Sequence, residues 1–307
     1  MHDSADVIVR SPGPGRQRAA LLLAYRYLVG AQALEAAAGA FAAAEQGAFD
    51  LAGLVEAVRD GRLVGAALFQ LTPGRTAAVH PPQLLAAEPE TTAQRLLAWG
   101  EDFVRQRQAT MLQAALATDA PLDAARFLTA GYAHAADLVF MGCATDYCLT
   151  PPRLPCDLQP YDGDRNRLGA VIEATYENTL DVPALDDLRD TPDVIDGYLA
   201  TGQFRDDWWF YLVEQGVDVG CLLVNDFPDQ HRGELVYMGL IPAVRGRGWG
   251  QLLTRQAQAL VAAAGRPHLL LAVDAANQPA IQAYDASGFQ PWETRAMYLK
   301  PLPSTSM

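Results

Sequence analysis

The 307-residue chain has no apolar run long enough to cross a bilayer as a helix, which takes about 20 residues. Its nearest approach, Ala19 to Gly30, is broken by Tyr25 and Arg26. Met1 to Gly15 holds no basic segment followed by an apolar one, so nothing there reads as a secretory signal. Basic charge is short as well: 23 Lys plus Arg stand against 36 Asp plus Glu, a net charge of −13. Phosphate contacts supply most of a nucleic-acid binder's affinity, so this balance argues against nucleic acid and anionic membranes as partners. It suits a cationic, amine-bearing substrate, and equally plain solubility. Cysteine is scarce. Cys143, Cys148, Cys156 and Cys221 fit no common zinc spacing, so no metal is expected and the thiols read as reduced groups in or near the core. The expectation is a soluble cytoplasmic protein.

Half of the residues are hydrophobic, enough for two domains of ordinary size. Leu149 to Pro160 carries four prolines and little periodicity, which blocks helix and favours extended backbone. It reads as a linker, 149–160, between a first domain over 1–148 and a second over 161–307. In the second, apolar spacing predicts helices over Asp164 to Asn178, Pro192 to Thr201, Gln251 to Ala264 and Asn277 to Ser287. Strands are expected at Trp208 to Glu214, Asp218 to Val224, Glu234 to Ile241, His268 to Val273 and Phe289 to Leu299. The fold class is mixed α/β. Four segments of the first half, Arg62 to Leu71, Thr91 to Gln106, Thr110 to Ala117 and Pro121 to Ala130, repeat the second half's pattern at a spacing of about 155 residues, which points to a diverged duplication.

The sharpest local signal is Arg245-Gly246-Arg247-Gly248-Trp249-Gly250, between an expected strand and an expected helix. Glycines let the backbone turn tightly and approach a ligand. The first amides of a helix have no internal partner and carry partial positive charge, which makes an anion site, and two arginines add full charges. Taken alone, the loop reads equally well as a plain connection. It does not end in Gly-Lys-Ser/Thr, and no acidic residue ends a second strand about twenty residues on as a dinucleotide fold requires; Asp274 comes later and is followed by a different pattern.

Arg245-x-x-Gly248-x-Gly250, after a strand ending Gly239-Leu240-Ile241-Pro242, resembles the acyl-CoA pyrophosphate loop of the GNAT superfamily. Asn277-Gln278-Pro279-Ala280 to Tyr284, then Ser287-Gly288-Phe289, resembles that superfamily's closing signature. The resemblance covers Leu158 to Lys300. It implies two tandem GNAT-like domains, each a mixed, mostly antiparallel sheet flanked by helices. The tandem layout is similar to that of mycothiol synthase-like proteins, whose substrate is not carried over.

The resemblance implies acetyl-CoA as co-substrate, with its pantetheine arm on the backbone of Met238 and Leu240 and its pyrophosphate on Arg245 to Gly250. Asn277 caps its helix and adds a pantetheine contact. Tyr284 donates a proton to the departing thiolate, or is only a core aromatic. Glu234 opens a strand, Glu234-Leu235-Val236-Tyr237, similar to that of histone-type members, where a glutamate is the general base; it reads otherwise as an ordinary strand-end charge. Of the acidic run Glu177, Asp181, Asp186, Asp187 and Asp190, the first two, with Trp209, are candidates to hold the acceptor.

The first half lacks the signature residues. Glu88-Pro89-Glu90-Thr91-Thr92-Ala93 stands where the glycine loop is expected, and Phe127 where Tyr284 is. Carboxylates repel pyrophosphate, so this half is expected to be GNAT-like without catalysis. The expected activity is acetyl transfer from acetyl-CoA to a primary amine, of a small molecule or a peptide, in a ternary complex. A non-catalytic acyl-CoA sensor is the alternative. A monomer or weak homodimer is expected.

Overall fold

One order of elements runs through the chain twice. The structure, a computed structural model, describes residues 6–28, 30–147, 150–185 and 188–303; Cys148, Asp186 and Asp187 lie outside them. The first round is β1 (Ile8–Arg10), α1 (Gln17–Ala24), α2 (Ala31–Glu45), β2 (Leu54–Arg59), β3 (Arg62–Thr72), β4 (Thr76–Val79), β5 (Gln83–Leu84), α3 (Glu90–Arg105), β6 (Met111–Ala117), α4 (Pro121–Thr129) and β7 (Ala133–Ala144). The second is β8 (Asp157–Pro160), α5 (Arg165–Tyr176), α6 (Thr191–Ala200), β9 (Trp209–Glu214), β10 (Val217–Phe227), β11 (Arg232–Leu240), α7 (Trp249–Ala263), β12 (His268–Asp274), α8 (Gln278–Asp285) and β13 (Gln290–Pro301). Apart from the two-residue β5, every element recurs roughly 150–160 residues later. Among the described residues, no helix is long and apolar enough to cross a membrane.

Packing divides the chain elsewhere than at the proline-rich segment. One compact unit runs up to His134 and resumes at Ala296; the other is Ala135–Arg295. The last strand of the first round, β7, pairs antiparallel with β12, from Leu138 opposite Asp274 to Ala144 opposite His268. The end of β13 belongs to the first unit, where Ala296, Tyr298 and Leu302 join the core of Phe127 and Tyr132. The expected linker also holds a strand. Its residues Asp157–Pro160 pair with β9 at the end of the sheet path, where a proline costs no internal ladder bond.

In the second unit the strand order is β7-β12-β11-β10-β9-β8. Only β11–β12 is parallel; the other pairs are antiparallel. Alternate residues of β10 point to opposite faces. Cys221 and Leu223 meet Leu168, Ile172 and Ile195 of α5 and α6, while Leu222 and Val224 meet Ala257, Val261 and Tyr284 of α7 and α8. The first unit is built likewise on β1-β2-β3-β4-β6, with β4–β6 parallel. Its Leu54 and Leu68 pack with α1 and α2, and its Val55 and Phe69 with Leu96, Leu97 and Phe127. Phe127 and Phe289 are fully buried, each contributing about 1.5–3 kcal/mol of apolar transfer.

Candidate active site

The site begins with a register fault. Along β10 and β11, Leu223 faces Tyr237 and Val224 faces Leu235, so Val236 is an extra residue that bends β11. On its other side β11 pairs with β12 only at Arg232, Gly233 and Glu234. From Leu235 onward the two strands part. The gap is a cavity of about 380 Å³, with Met238, Gly239 and Leu240 on one wall and Ala272 and Val273 on the other. Gly239 is glycine for a packing reason: a Cβ there would lie 2.5 Å from the Thr175 hydroxyl.

At one end of the cavity lies the glycine loop. Gly246 and Gly248 have φ of +74° and +77°, a region glycine enters freely, and the space around both is open. Gly248 caps α7 without a side-chain bond. Among the described residues, no protein group accepts from the amides of Gly246, Arg247 or Gly248, so they and the helix dipole are available to an anion. Trp249 buries its ring in the core beside Leu253 and offers only backbone. Gly250 closes the loop within the first turn of α7.

The two arginines of the loop behave differently. Arg245 turns inward: its guanidinium donates to the carbonyls of Leu240, Thr175, Glu177 and Asn178 at 2.7–3.1 Å. It ties the end of α5 to the loop, where the sequence suggested a phosphate ligand. Arg247 is half exposed, near Glu214 at 3.4 Å and donating to the Ala243 carbonyl.

Tyr284, from α8, lines the cavity and is otherwise buried. Burial, and then the charge of Asp181, push its phenol well above the usual range. Asn277 caps α8 by accepting from the Ala280 amide and lines the same cavity. Asp181 lies in the α5–α6 connection and accepts from the amide of Asp274, whose carboxylate in turn accepts from the amide of Val182. Asp181 is open to the cavity yet ringed by protein. Burial raises its carboxyl above the ordinary range, against the pull of the Asp274 amide and Asn277.

A second cavity, of about 300 Å³, adjoins the first, and Tyr176, Asp181, Val236 and Tyr237 line both. Its other walls include Glu173, Val182, Leu185, Arg189, Val194 and Tyr198. Tyr198 stacks on Tyr237 at 5.3 Å and Tyr176 meets Tyr237 edge-on at 6.2 Å. The Tyr237 hydroxyl is fixed by Thr175 at 2.6 Å.

Three sequence candidates stand apart from this assembly. Glu234 sits on the paired stretch of β11, outside the lining of both cavities, with its carboxylate 2.6 Å from Arg232. Glu177 ends α5 as an exposed residue and lines neither cavity. Trp209 is fully buried, and its indole N–H donates to Asn225 at 2.7 Å, so it cannot touch an acceptor. Trp208 is 2% exposed, so neither tryptophan reaches a cleft. Sequence reasoning assigned no site role to Tyr176, Tyr198, Tyr237 or Arg189; Tyr176 showed only as part of an apolar helix face and Tyr237 only as part of the Glu234 strand, both of which core packing explains equally well. Among the described residues, no group of three or more His, Cys, Asp or Glu is placed to hold a metal.

Part of the sequence, and the fold, are similar to those of known proteins. The sequence profile of the Acetyltransferase (GNAT) family matches residues 175–289, the stretch from the end of α5 through Phe289. A mycothiol acetyltransferase of Streptomyces bingchenggensis (strain BCW-1) is 36% identical over 90 residues, 29% of each chain. That of Thermobifida fusca (strain YX) is 39% identical over 66 residues, 22% of this chain and 20% of the other. The matches thus span less than a third of these relatives' own lengths. In fold, a GCN5-related N-acetyltransferase from Sphaerobacter thermophilus superposes with a TM-score of 0.63 at 18% identity, covering 98% of both chains. A tandem GNAT protein of the clavulanic acid biosynthesis pathway gives 0.51 at 17% identity, covering 97% of this chain and 99% of the other. The two-round architecture is thus a known one, and the match to the acetyltransferase (GNAT) family profile falls within its second round.

Proposed function

We propose that the second unit transfers an acetyl group from acetyl-CoA to a primary amine, both substrates being held at once. The observation that carries this reading is the opening between β11 and β12 beyond Glu234, with unclaimed amides at the start of α7 and the Tyr284 hydroxyl in its wall. The amides of Gly246 to Gly250 and the charge of Arg247 suit a pyrophosphate. Arg245 keeps the loop in shape. Beyond the stretch paired with β12, the backbone of Met238 and the amide of Leu240 offer strand-like hydrogen bonds to an amide-bearing arm, and Asn277 lines the same cavity.

An ammonium must lose a proton before its nitrogen attacks. Among the described residues, Asp181 is the carboxylate that lines both cavities, and its raised pKa makes it a stronger base than an ordinary aspartate. Glu234 is engaged by Arg232. Tyr284, 7% exposed and facing the cavity, serves as the acid for the leaving sulfur. As the N–C bond forms and the C–S bond breaks, the nitrogen sheds two protons. One goes to Asp181 and on to solvent. The other, through solvent, replaces the one Tyr284 gives to the thiolate.

The test is thiol release with a panel of primary amines, run on the wild type and on Tyr284→Phe beside a calorimetric titration of acetyl-CoA. Turnover by the wild type, cut about 100-fold in the variant at unchanged acetyl-CoA affinity, is expected, since positioned acids contribute roughly 10²–10⁴-fold. Binding without turnover of any amine would favour an acyl-CoA sensor. No binding would overturn the proposal.

A further inference from the structure

The second cavity carries more information than its position. Arg189 stands in its wall, partly exposed; its Nε is turned away from solvent and, among the described residues, has no hydrogen-bond partner. Arginine does not lose its proton in proteins, so the charge stays in the cavity wall. A guanidinium in a largely apolar and aromatic wall suits an anionic ligand. The outer edge of the guanidinium, its two terminal nitrogens, fits a carboxylate, which accepts two parallel N–H bonds.

The rest of the lining limits what that anion belongs to. Val182, Leu185, Val194 and Val236, with Tyr176, Tyr198 and Tyr237, make most of the wall apolar or aromatic. The volume of about 300 Å³ admits a molecule of amino-acid size. Among the described residues, two carboxylates share the cavity. Glu173 is hydrogen-bonded by the Thr191 hydroxyl, and Asp181 stands where the cavity meets the first one. These negative charges disfavour a dianion such as a phosphate monoester and favour a ligand that brings a cation of its own. Arg189 lines only the second cavity, whereas Asp181 lines both. A ligand whose anion meets Arg189 and whose ammonium meets Asp181 therefore presents its nitrogen toward the first cavity.

We infer that the acceptor is an amino carboxylate with a short apolar or aromatic side group, its carboxylate held by Arg189 and its amine held and deprotonated by Asp181. This deepens the acetyl-transfer reading and rests on it. The reaction forms an amide N–C bond at the amino group, breaks the thioester C–S bond, and leaves the carboxylate untouched. Arg189 is a specificity determinant that plays no part in the proton transfers.

The experiment compares matched pairs that differ only in the carboxylate, L-leucine with 3-methylbutylamine and L-phenylalanine with 2-phenylethylamine. Thiol release is measured for each, with calorimetric binding of the same four compounds to CoA-saturated protein. The amino acid of each pair should have the higher kcat/KM by about 10–100-fold, the range expected of a charged, desolvated hydrogen bond. Arg189→Gln should erase that ratio by raising KM for the amino acids, while acetyl-CoA affinity and the melting temperature stay as in the wild type. A plain amine used as well as its amino acid, or a ratio that survives Arg189→Gln, overturns the inference. So does acetyl-CoA binding with neither binding nor turnover of the amino acids. Failure to bind acetyl-CoA at all overturns instead the reading beneath it.

Discussion

The two rounds of the fold put the same elements in the same order and then part company at one place, the end of the fourth strand. In the second round β11 runs nine residues, pairs with β12 for three of them, and bends away at the Val236 bulge. In the first, β4 is four residues long, and three of them pair with β6. The chain then passes His80, Pro81 and Pro82 and returns as β5 to pair with β3. The position beyond the strand is filled. His80 shares hydrogen bonds of 2.7 Å with Tyr27 and with Gln70, and Tyr25 packs edge-on at 5.4 Å.

The loops that follow differ in kind as well. Where the second round has open glycines, the first has Glu88 bonded to Arg59 and Thr92, and Glu90 bonded to Arg126. Phe127, in the place of Tyr284, is fully buried. The lesson is that the frame survives on its core, whereas a cleft needs a strand that outruns its partner and a helix start that no side chain claims.

The contrast can be broken most completely at the loop. Gly248→Glu puts a carboxylate and a strained left-handed residue where a pyrophosphate would sit, so acetyl-CoA binding should vanish by calorimetry in a protein that still melts cooperatively. Glu88→Gly, at the corresponding place in the first round, should leave acetyl-CoA affinity within about twofold, the ordinary result for a change outside a site, and should only lower stability through loss of its pair with Arg59.

The next effect separates two carboxylates. Asp181→Asn should lower kcat about 100-fold, whereas Glu234→Gln should change it by less than about threefold; the reverse pattern would return the base to Glu234. Burial raises the Asp181 carboxyl above its unfolded value. In its charged form it therefore opposes folding, a penalty absent below about pH 4 and growing as the pH rises through the folded pKa. The asparagine variant should thus melt higher than the wild type at pH 8, with the gain fading toward pH 4.

The smallest effect probes the filled position of the first round. Burial pushes His80 down to about 4. A base with a depressed folded pKa contributes stability that is complete above the unfolded value of about 6.5 and is lost as the pH falls toward 4. The wild type should lose more melting temperature between pH 7 and pH 4.5 than His80→Gln does. Equal losses would mean that His80 is not shielded.

Much of this was legible in sequence because it rests on local rules. The glycine loop, the Asn277 to Phe289 signature and the strands around Tyr211 and Leu222 sit within three residues of where their patterns put them. What was hidden depends on distant partners. Nothing local says that Ala133–Ala144 pairs with β12, or that Arg245 spends its donors on the carbonyls of α5 and its C-terminal end. Trp209 and Tyr237 look alike on their strands, yet one is sealed by Asn225 and the other walls two cavities. Among the acidic residues after Tyr176, only the fold singles out Asp181, through the amide of Asp274, 93 residues away.

The central claim is one working cleft in a twice-repeated frame. Native mass spectrometry of the intact protein titrated with acetyl-CoA tests it directly. The account predicts a single bound molecule at saturation, absent in Gly248→Glu and retained in Glu88→Gly. Two bound molecules, or one that survives Gly248→Glu, would contradict it.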